Sequence, residues 1–176
     1  MKVKEVAETL ERFAPLPLQE GYDNAGFQIG LTAAEDVSGV LLCLDVTEKV
    51  LEEAEAKGCN LVVAHHPLLF RPLRSLTGRT QVERCVAMAV QKGIAVYAAH
   101  TNLDNAPGGV NYKMAEKLGL ADVRFLSPLR SGEGGSGVVG RLPRPLSREA
   151  FLEQVARTFG VEALRHNGAA PQTVQN

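Results

Sequence analysis

Apolar residues recur with helical spacing from Val3 to Phe13, and prolines follow at positions 15 and 17. This spacing predicts an amphipathic helix that ends before Pro15. Residues 20–32 contain three glycines and an Asp-Asn pair, which indicate a loop with a short strand at Phe27–Ile29. The chain therefore begins with one helix and an irregular segment before its main apolar runs.

Two continuous apolar runs follow, at Val40–Leu44 and Leu61–Ala64. Neither run alternates with polar residues, so we expect strands that are buried on both faces. Thr47 is a suitable N-cap for a helix between the two runs, and Gly58 is a suitable end for that helix. A strand, a helix and a strand make a βαβ unit, which predicts a sheet that is at least partly parallel.

The same alternation continues along the chain, with helices predicted at Thr80–Lys92 and Gly109–Leu118 around a strand at Ile94–Ala98. A strand at Val138–Leu142 and a helix at Ser147–Phe159 follow a stretch rich in glycine and serine. The predicted fold class is α/β, with a partly parallel mixed sheet flanked by helices. We predict a first α/β lobe over 1–126, a flexible loop over 127–137 and the start of a second lobe over 138–176.

The amino-acid composition limits the classes of molecule that we expect the protein to bind. The 176 residues carry 19 Lys and Arg against 20 Asp and Glu, so no overall charge attracts nucleic acid or an anionic membrane. The three cysteines lack CxxC spacing and lie in apolar or helical runs, which favours free thiols in a reducing compartment. We therefore expect a cytoplasmic protein without a signal peptide or a membrane span. The sequence contains no P-loop motif and no GxSxG motif, so it indicates neither a P-loop nucleotide site nor a nucleophilic serine.

Chemistry-bearing side chains follow the predicted strands. Asp45 follows the first strand, His65 and His66 follow the second, and His100 and Asp104 follow the third. The carboxyl ends of parallel strands share one edge of a sheet, where ligands usually bind. Imidazole and carboxylate are ligands for Zn, Fe, Mn, Ni or Co. Neighbouring residues of a strand point to opposite sides, so we expect His65 and His66 to serve two metal ions with a bridging carboxylate.

Each residue also has a structural interpretation. The two adjacent histidines are compatible with an exposed or hydrogen-bonded pair, and His100 with a hydrogen bond in the core. Asp104 is compatible with an Asx-turn, and Asp45 with the start of a helix. Their common position at strand ends is what favours a metal site.

Four segments resemble the NIF-three-like proteins, which are often named GTP cyclohydrolase type 2 homologues. Two of them, VVAHHPLLF (Val62–Phe70) and HTNLDNAPGGVN (His100–Asn111), resemble the signature blocks of that family. YDNAGFQIG (Tyr22–Gly30) resembles its N-terminal block, with Tyr22 where Trp is more usual, and Cys43–Val62 also fits. The resemblance covers residues 1–126 in order, and the segment Arg141–Val155 fits more loosely.

The resemblance implies a dinuclear metal site with His65, His66 and Asp104 among its ligands. It also implies two divalent metal ions of unknown identity, two α/β lobes, and a ring-shaped homohexamer in the cytoplasm. The family completes its site with a C-terminal HxxxE motif. Here the last histidine is His166 and Ala170 stands four residues later, so the motif is missing.

The missing motif leads us to expect a second lobe that is incomplete, weakened metal binding and poor solubility for this chain alone.

Two functions are compatible with the predicted site. One is a hydrolase that uses a metal-activated water on a substrate such as a guanine nucleotide. The alternative is a metal-binding interaction or regulatory protein that acts through a ring-shaped homo-oligomer without catalysis. A degenerate fragment without activity is a third possibility.

Overall fold

The computed structural model describes residues 1–169 and 171–175, so Ala170 and Asn176 lie outside the described residues. The chain divides into two compact units, Met1–Leu103 and Asp104–Asn176. The elements of the first unit are α1 (Val3–Phe13), a 3-10 turn (Leu16–Leu18), β1 (Gly26–Ile29), β2 (Val40–Cys43), α2 (Glu48–Ala56), β3 (Leu61–Ala64), α3 (Gln81–Gln91) and β4 (Ala95–Ala98). Helix α4 (Thr101–Asn105) begins in the first unit, and the second contains α5 (Val110–Lys117), β5 (Ala121–Pro128), β6 (Gly135–Arg141), β7 (Leu146–Ser147), α6 (Arg148–Phe159) and β8 (Thr173–Val174).

The first unit is built on a four-stranded mixed sheet with the order β1-β4-β3-β2. Strands β2, β3 and β4 are parallel, whereas β1 is antiparallel to β4. Thr47 caps α2 by accepting a hydrogen bond from the backbone N–H of Val50, as predicted. The structure thus confirms the predicted α/β class with a partly parallel mixed sheet.

Two apolar clusters cover the faces of this sheet. Helices α2 and α3 pack on one face through residues such as Leu51 and Cys85, against Val62 and Val96 of the central strands. Helix α1 packs on the other face, where Val3 contacts a cluster that includes the fully buried ring of Tyr97. The central strands are therefore enclosed on both sides, as a continuous apolar sequence requires.

Strand β2 does not fit the prediction of burial on both faces, which was wrong for Val40–Leu44. It is an edge strand that pairs only with β3 in the sheet order. Leu41 and Cys43 pack on the α2–α3 cluster, whereas Leu42 is 74% exposed and Leu44 is 58% exposed. The cluster under α1 draws on β3 and β4, so the same face of β2 remains uncovered.

The second unit contains two small antiparallel sheets, β5–β6 and β7–β8. The predicted strand and helix near its end are confirmed, although β6 begins three residues before Val138. The loop expected over 127–137 includes the ends of β5 and β6, so only residues 129–134 connect the two strands. The lobe boundaries at 126 and 138 stay a prediction. Among the helices of the described chain, none has the length and apolar content needed to cross a membrane.

Candidate metal centre

The parallel strands bring three histidines to one edge of the sheet. Cys43, Ala64 and Ala98 are aligned across β2, β3 and β4. Beyond the strands, the backbone N–H of His65 donates to the Cys43 carbonyl at 3.1 Å, and that of Ala99 donates to Ala64 at 2.9 Å. This extended ladder fixes the backbone around His65, His66 and His100.

The three imidazole rings form a compact triangle. Ring centroids are 5.0 Å apart for His65 and His66, 5.3 Å for His65 and His100, and 5.6 Å for His66 and His100. One ligand atom from each histidine lies within 4.8 Å of the other two. The expectation that His65 and His66 point to opposite sides was wrong, because β3 ends at Ala64 and the regular pleat does not extend over both histidines.

Each imidazole is held at its Nδ1 atom by an oxygen acceptor. Nδ1 of His65 lies 2.9 Å from the Ala99 carbonyl oxygen. Nδ1 of His66 lies 2.8 Å from a carboxylate oxygen of Asp45, and Nδ1 of His100 lies 2.8 Å from one of Asp23. Because these oxygens accept hydrogen bonds, the neutral rings carry their proton on Nδ1 and their lone pair on Nε2. An acceptor on the second ring nitrogen is the usual partner of a metal-binding histidine.

Asp23 is the most connected of these acceptors. Its side chain is fully buried, pairs with His100, and accepts hydrogen bonds from the backbone N–H and the hydroxyl of Thr101. It also accepts from the backbone N–H of Asn24 at 2.7 Å. Burial raises the pKa of this carboxyl, but the hydrogen bonds from Thr101, His100 and Asn24 outweigh that effect and hold the pKa below its usual value. Asp23 is therefore an anion at neutral pH.

The residues predicted for the metal site lie in different parts of the structure. His65 and His66 lie in the cluster, and Asp45 orients His66 while Thr47 starts the helix. Asp104 lies in α4, at the first position of the second compact unit, and the cluster contains first-unit residues alone. The role of Asp104 as a ligand therefore stays a prediction.

The predicted ligand set did not include two residues of the site, His100 and Asp23. His100 had a usable signal, its position after the third strand, although a core hydrogen bond was an alternative explanation. Asp23 had no such signal, because 77 residues separate it from His100 and it lies in a loop. Only the antiparallel pairing of β1 with β4 brings the loop before β1 to the carboxyl end of β4.

The donor set fits a transition metal or zinc ion. Imidazole nitrogens such as the three Nε2 atoms here are ligands for Zn, Fe, Mn, Co and Ni alike. Three protein ligands leave coordination positions for water or substrate, unlike a closed structural site. The side chain of His66 is 45% exposed, so solvent reaches the cluster.

Comparison with known proteins identifies the family of the chain. The sequence profile of Duf34/NIF3 (NGG1p interacting factor 3) matches residues 1–176. The chain belongs to this family. A Duf34/NIF3 relative from Clostridium perfringens, named GTP cyclohydrolase 1 type 2 homolog, is 33% identical over 177 residues, which is 99% of this chain and 67% of the relative. A protein of the same name from Lactococcus lactis is 36% identical over 94% of this chain and 62% of its own length.

The fold is shared with solved Duf34/NIF3-like structures. The crystal structure of Staphylococcus aureus protein SA1388 superposes with a TM-score of 0.90 and 25% identity, over 99% of this chain and 70% of that one. The chain thus spans about two thirds of the length of these Clostridium and Lactococcus relatives.

Proposed function

We propose that the protein binds divalent metal ions through His65, His66 and Asp104 and acts as a metal-dependent hydrolase of the GTP cyclohydrolase type 2 homologue kind. The observation that carries the proposal is the triangle of three imidazoles whose ligand atoms lie within 4.8 Å of one another. His100 joins the ligand set on this geometry. The names of the relatives from Clostridium and Lactococcus support the nucleotide substrate.

The chain's own residues prepare the site for this chemistry. Asp23, Asp45 and the Ala99 carbonyl hold the three rings in one tautomer. A cavity of about 380 Å³ lies beside Asp45 and His66 and provides access for a substrate. A metal ion bound there would supply an activated water and polarise the bond to be hydrolysed.

We propose two metal ions per chain. Of the five ligands that the family resemblance implies, this chain supplies three, His65, His66 and Asp104, and His100 adds a fourth candidate ligand. Two ions with open positions between them suit a hydrolytic displacement. The identity of the ions is left to measurement, since His and Asp ligands suit Zn, Fe, Mn, Co and Ni.

Metal content tests the proposal directly. The chain is purified without an affinity metal column, dialysed against each candidate ion and assayed for bound metal by elemental analysis. We expect about two ions per wild-type chain and a clear loss in His66→Ala and Asp104→Ala. Substitution of His166, which lies outside the cluster, is the matched control and leaves the metal content unchanged. Absence of bound metal in the wild type would contradict the proposal.

Catalysis is tested separately on the metal-loaded chain. We expect hydrolysis of GTP by the wild type and its loss in Asp104→Ala. Retention of full activity by this variant would remove Asp104 from the mechanism. Metal binding without turnover of GTP would favour the second candidate function.

The second candidate is a metal-binding interaction or regulatory protein that acts through a ring-shaped homohexamer in the cytoplasm. The uncovered face of β2 favours it, because Leu42 and Leu44 expose apolar surface beside an unpaired strand edge. The free cysteines fit a reducing compartment. Light scattering of the wild type and of Leu42→Ser tests the assembly: a ring that survives metal removal and breaks in the variant supports this candidate.

A further inference from the structure

A second cavity lies in the first unit and shares Asp23 with the histidine cluster, but none of the three histidines lines it. It has a volume of about 460 Å³ and is lined by two loops, one around Tyr22 and Asn24 and the other from Leu69 to Leu73. This volume lies in the range of sites for small ligands. Neither the metal ligands nor the proposed hydrolysis accounts for it.

Two aromatic rings line this cavity. The Tyr22 and Phe70 rings meet edge to face with centroids 6.5 Å apart, although Tyr22 is 68% exposed and Phe70 is 46% exposed. Phe70 also contacts the ring of His100, with centroids 6.3 Å apart. A planar ring that stacks on these faces would cover exposed aromatic surface and lie beside the histidine cluster.

The two loops are tied together, so the cavity is largely formed before a ligand arrives. The Asn24 side-chain amide donates to the Leu69 carbonyl at 2.8 Å, and the backbone N–H of Leu69 donates to the Gln28 side chain at 2.9 Å. The buried Asp23 anchors the first loop to Thr101. A preformed cavity binds a ligand without the entropic cost of ordering its walls.

Two arginines belong to the second of these loops or directly follow it in the sequence. Arg71 and Arg74 flank the lining residues Pro72 and Leu73 in the sequence, and both are exposed. Neither forms an ion pair or a hydrogen bond within the part of the chain that the structure describes. Guanidinium groups recognise phosphate through paired hydrogen bonds.

We propose that this cavity binds a nucleotide, with the planar base against Tyr22 and Phe70 and the phosphate at Arg71 and Arg74. The inference rests on the proposed function, because it gives the substrate of the metal centre its binding subsite. It adds the residues that recognise that substrate and a binding step that does not need the metal.

Titration of the metal-free chain with guanosine and with GMP, followed by NMR, tests the proposal. Tyr22→Leu and Phe70→Leu keep apolar bulk but remove the ring, and we expect each to weaken both ligands about tenfold. The double variant Arg71→Gln/Arg74→Gln is expected to weaken GMP about tenfold and to leave guanosine unchanged. Phe13→Leu, at an aromatic residue that is 52% exposed on α1, is the matched control and binds like the wild type.

Several outcomes would overturn the proposal. Failure of the wild type to bind either ligand would do so, as would equal weakening by Phe13→Leu. Dissociation of an oligomer by Phe70→Leu, with guanosine affinity unchanged, would instead assign the aromatic surface to a second copy of the chain. Metal content of the same protein preparations, measured before the metal is removed, separates the two proposals: metal without nucleotide binding refutes the subsite alone, and nucleotide binding without metal refutes the metal centre alone.

Discussion

Two histidine–carboxylate pairs in the site have the same geometry and different surroundings. Both join Nδ1 of a histidine to an aspartate oxygen at 2.8 Å. In the first pair, the Asp23 side chain is fully buried and that of His100 is 18% exposed, whereas Asp45 and His66 are 62% and 45% exposed. Solvent screens the second pair and not the first, so equal distances do not imply equal energies.

The buried pair gives the largest expected effect. Asp23→Asn removes the charge that Thr101, Asn24 and His100 all face. The amide group of this variant also places its own N–H donors against the N–H and O–H donors of Thr101 and Asn24, which repel it. We expect a loss of about 3 kcal/mol in the free energy of unfolding, typical of a buried charged group that loses its partners. Urea unfolding of the metal-free chain measures this loss.

The same variant tests the positioning of His100. Without the carboxylate the ring loses its fixed tautomer, so we expect metal affinity to fall about 100-fold. Competition with a chromophoric chelator measures the affinity, and the absorption spectrum of bound Co(II) reports the ligand geometry. Unchanged affinity and spectrum would show that Asp23 has a purely structural role.

Glu83 provides the control, because it is a second buried carboxylate and its hydrogen bonds are to Thr77 and Arg79 and not to a histidine. Glu83 accepts hydrogen bonds from the backbone N–H and the hydroxyl of Thr77, at 2.7 and 2.8 Å, and from the backbone N–H of Arg79. Glu83→Gln is expected to lower stability and to leave metal affinity unchanged. A fall in metal affinity would show that loss of fold alone explains the effect of Asp23→Asn.

Glu83 also predicts a pH dependence. The hydrogen bonds from the Thr77 side chain and backbone lower the pKa of its carboxyl to about 2, from an ordinary 4.5. A lowered pKa in the folded state stabilises the protein above the unfolded value, and this stability is lost as the pH falls from 4.5 towards 2. Stability measured across this range should decline more steeply in the wild type than in Glu83→Gln. Parallel curves would contradict the assignment.

The exposed pair gives a smaller effect. Asp45→Asn removes a solvent-exposed partner of His66, so we expect a change below about 0.5 kcal/mol in the free energy of unfolding. Metal affinity should fall about tenfold, because the amide oxygen that replaces the carboxylate still accepts a hydrogen bond from Nδ1 of His66 and favours the same tautomer. An effect on metal binding as large as that of Asp23→Asn would show that burial does not set the difference between the pairs.

Much of the fold was predictable because it depends on local patterns. Strand β3 begins and ends where its apolar run predicts, the cap of α2 lies at the predicted Thr47, and α6 begins one residue after the predicted start at Ser147. The exposure of Leu42 was not predictable, since an apolar run does not reveal whether its strand is central or at an edge. Helix α4 has only five residues and strand β8 only two, too few to show a period.

The site was predictable to the extent that it follows from strand order. His65, His66 and His100 each follow a parallel strand, which places them at one edge. Asp23 could not be found in this way, because its place beside His100 depends on the pairing of β1 with β4, a contact between distant parts of the sequence. The histidines and Asp45 could be found from local sequence because each follows a strand, whereas Asp23, which orients His100, could not.

The smallest expected effect is on the reactivity of Cys43, whose thiol responds to the exposed negative charge of Asp45. Burial raises the pKa of its thiol to about 11, and the negative charge of Asp45 adds a lesser contribution. At pH 8 the thiol is protonated, so iodoacetamide should modify Cys43 slowly, as followed by peptide mass spectrometry. Asp45→Asn removes only the lesser contribution and should raise the rate at pH 8 by less than about fivefold.

A much larger increase would mean that the Asp45 charge acts through a medium of low dielectric constant. The two histidine–carboxylate pairs would then be closer in energy than their exposure indicates, and the contrast between Asp23 and Asp45 would have to be sought in their hydrogen bonds instead.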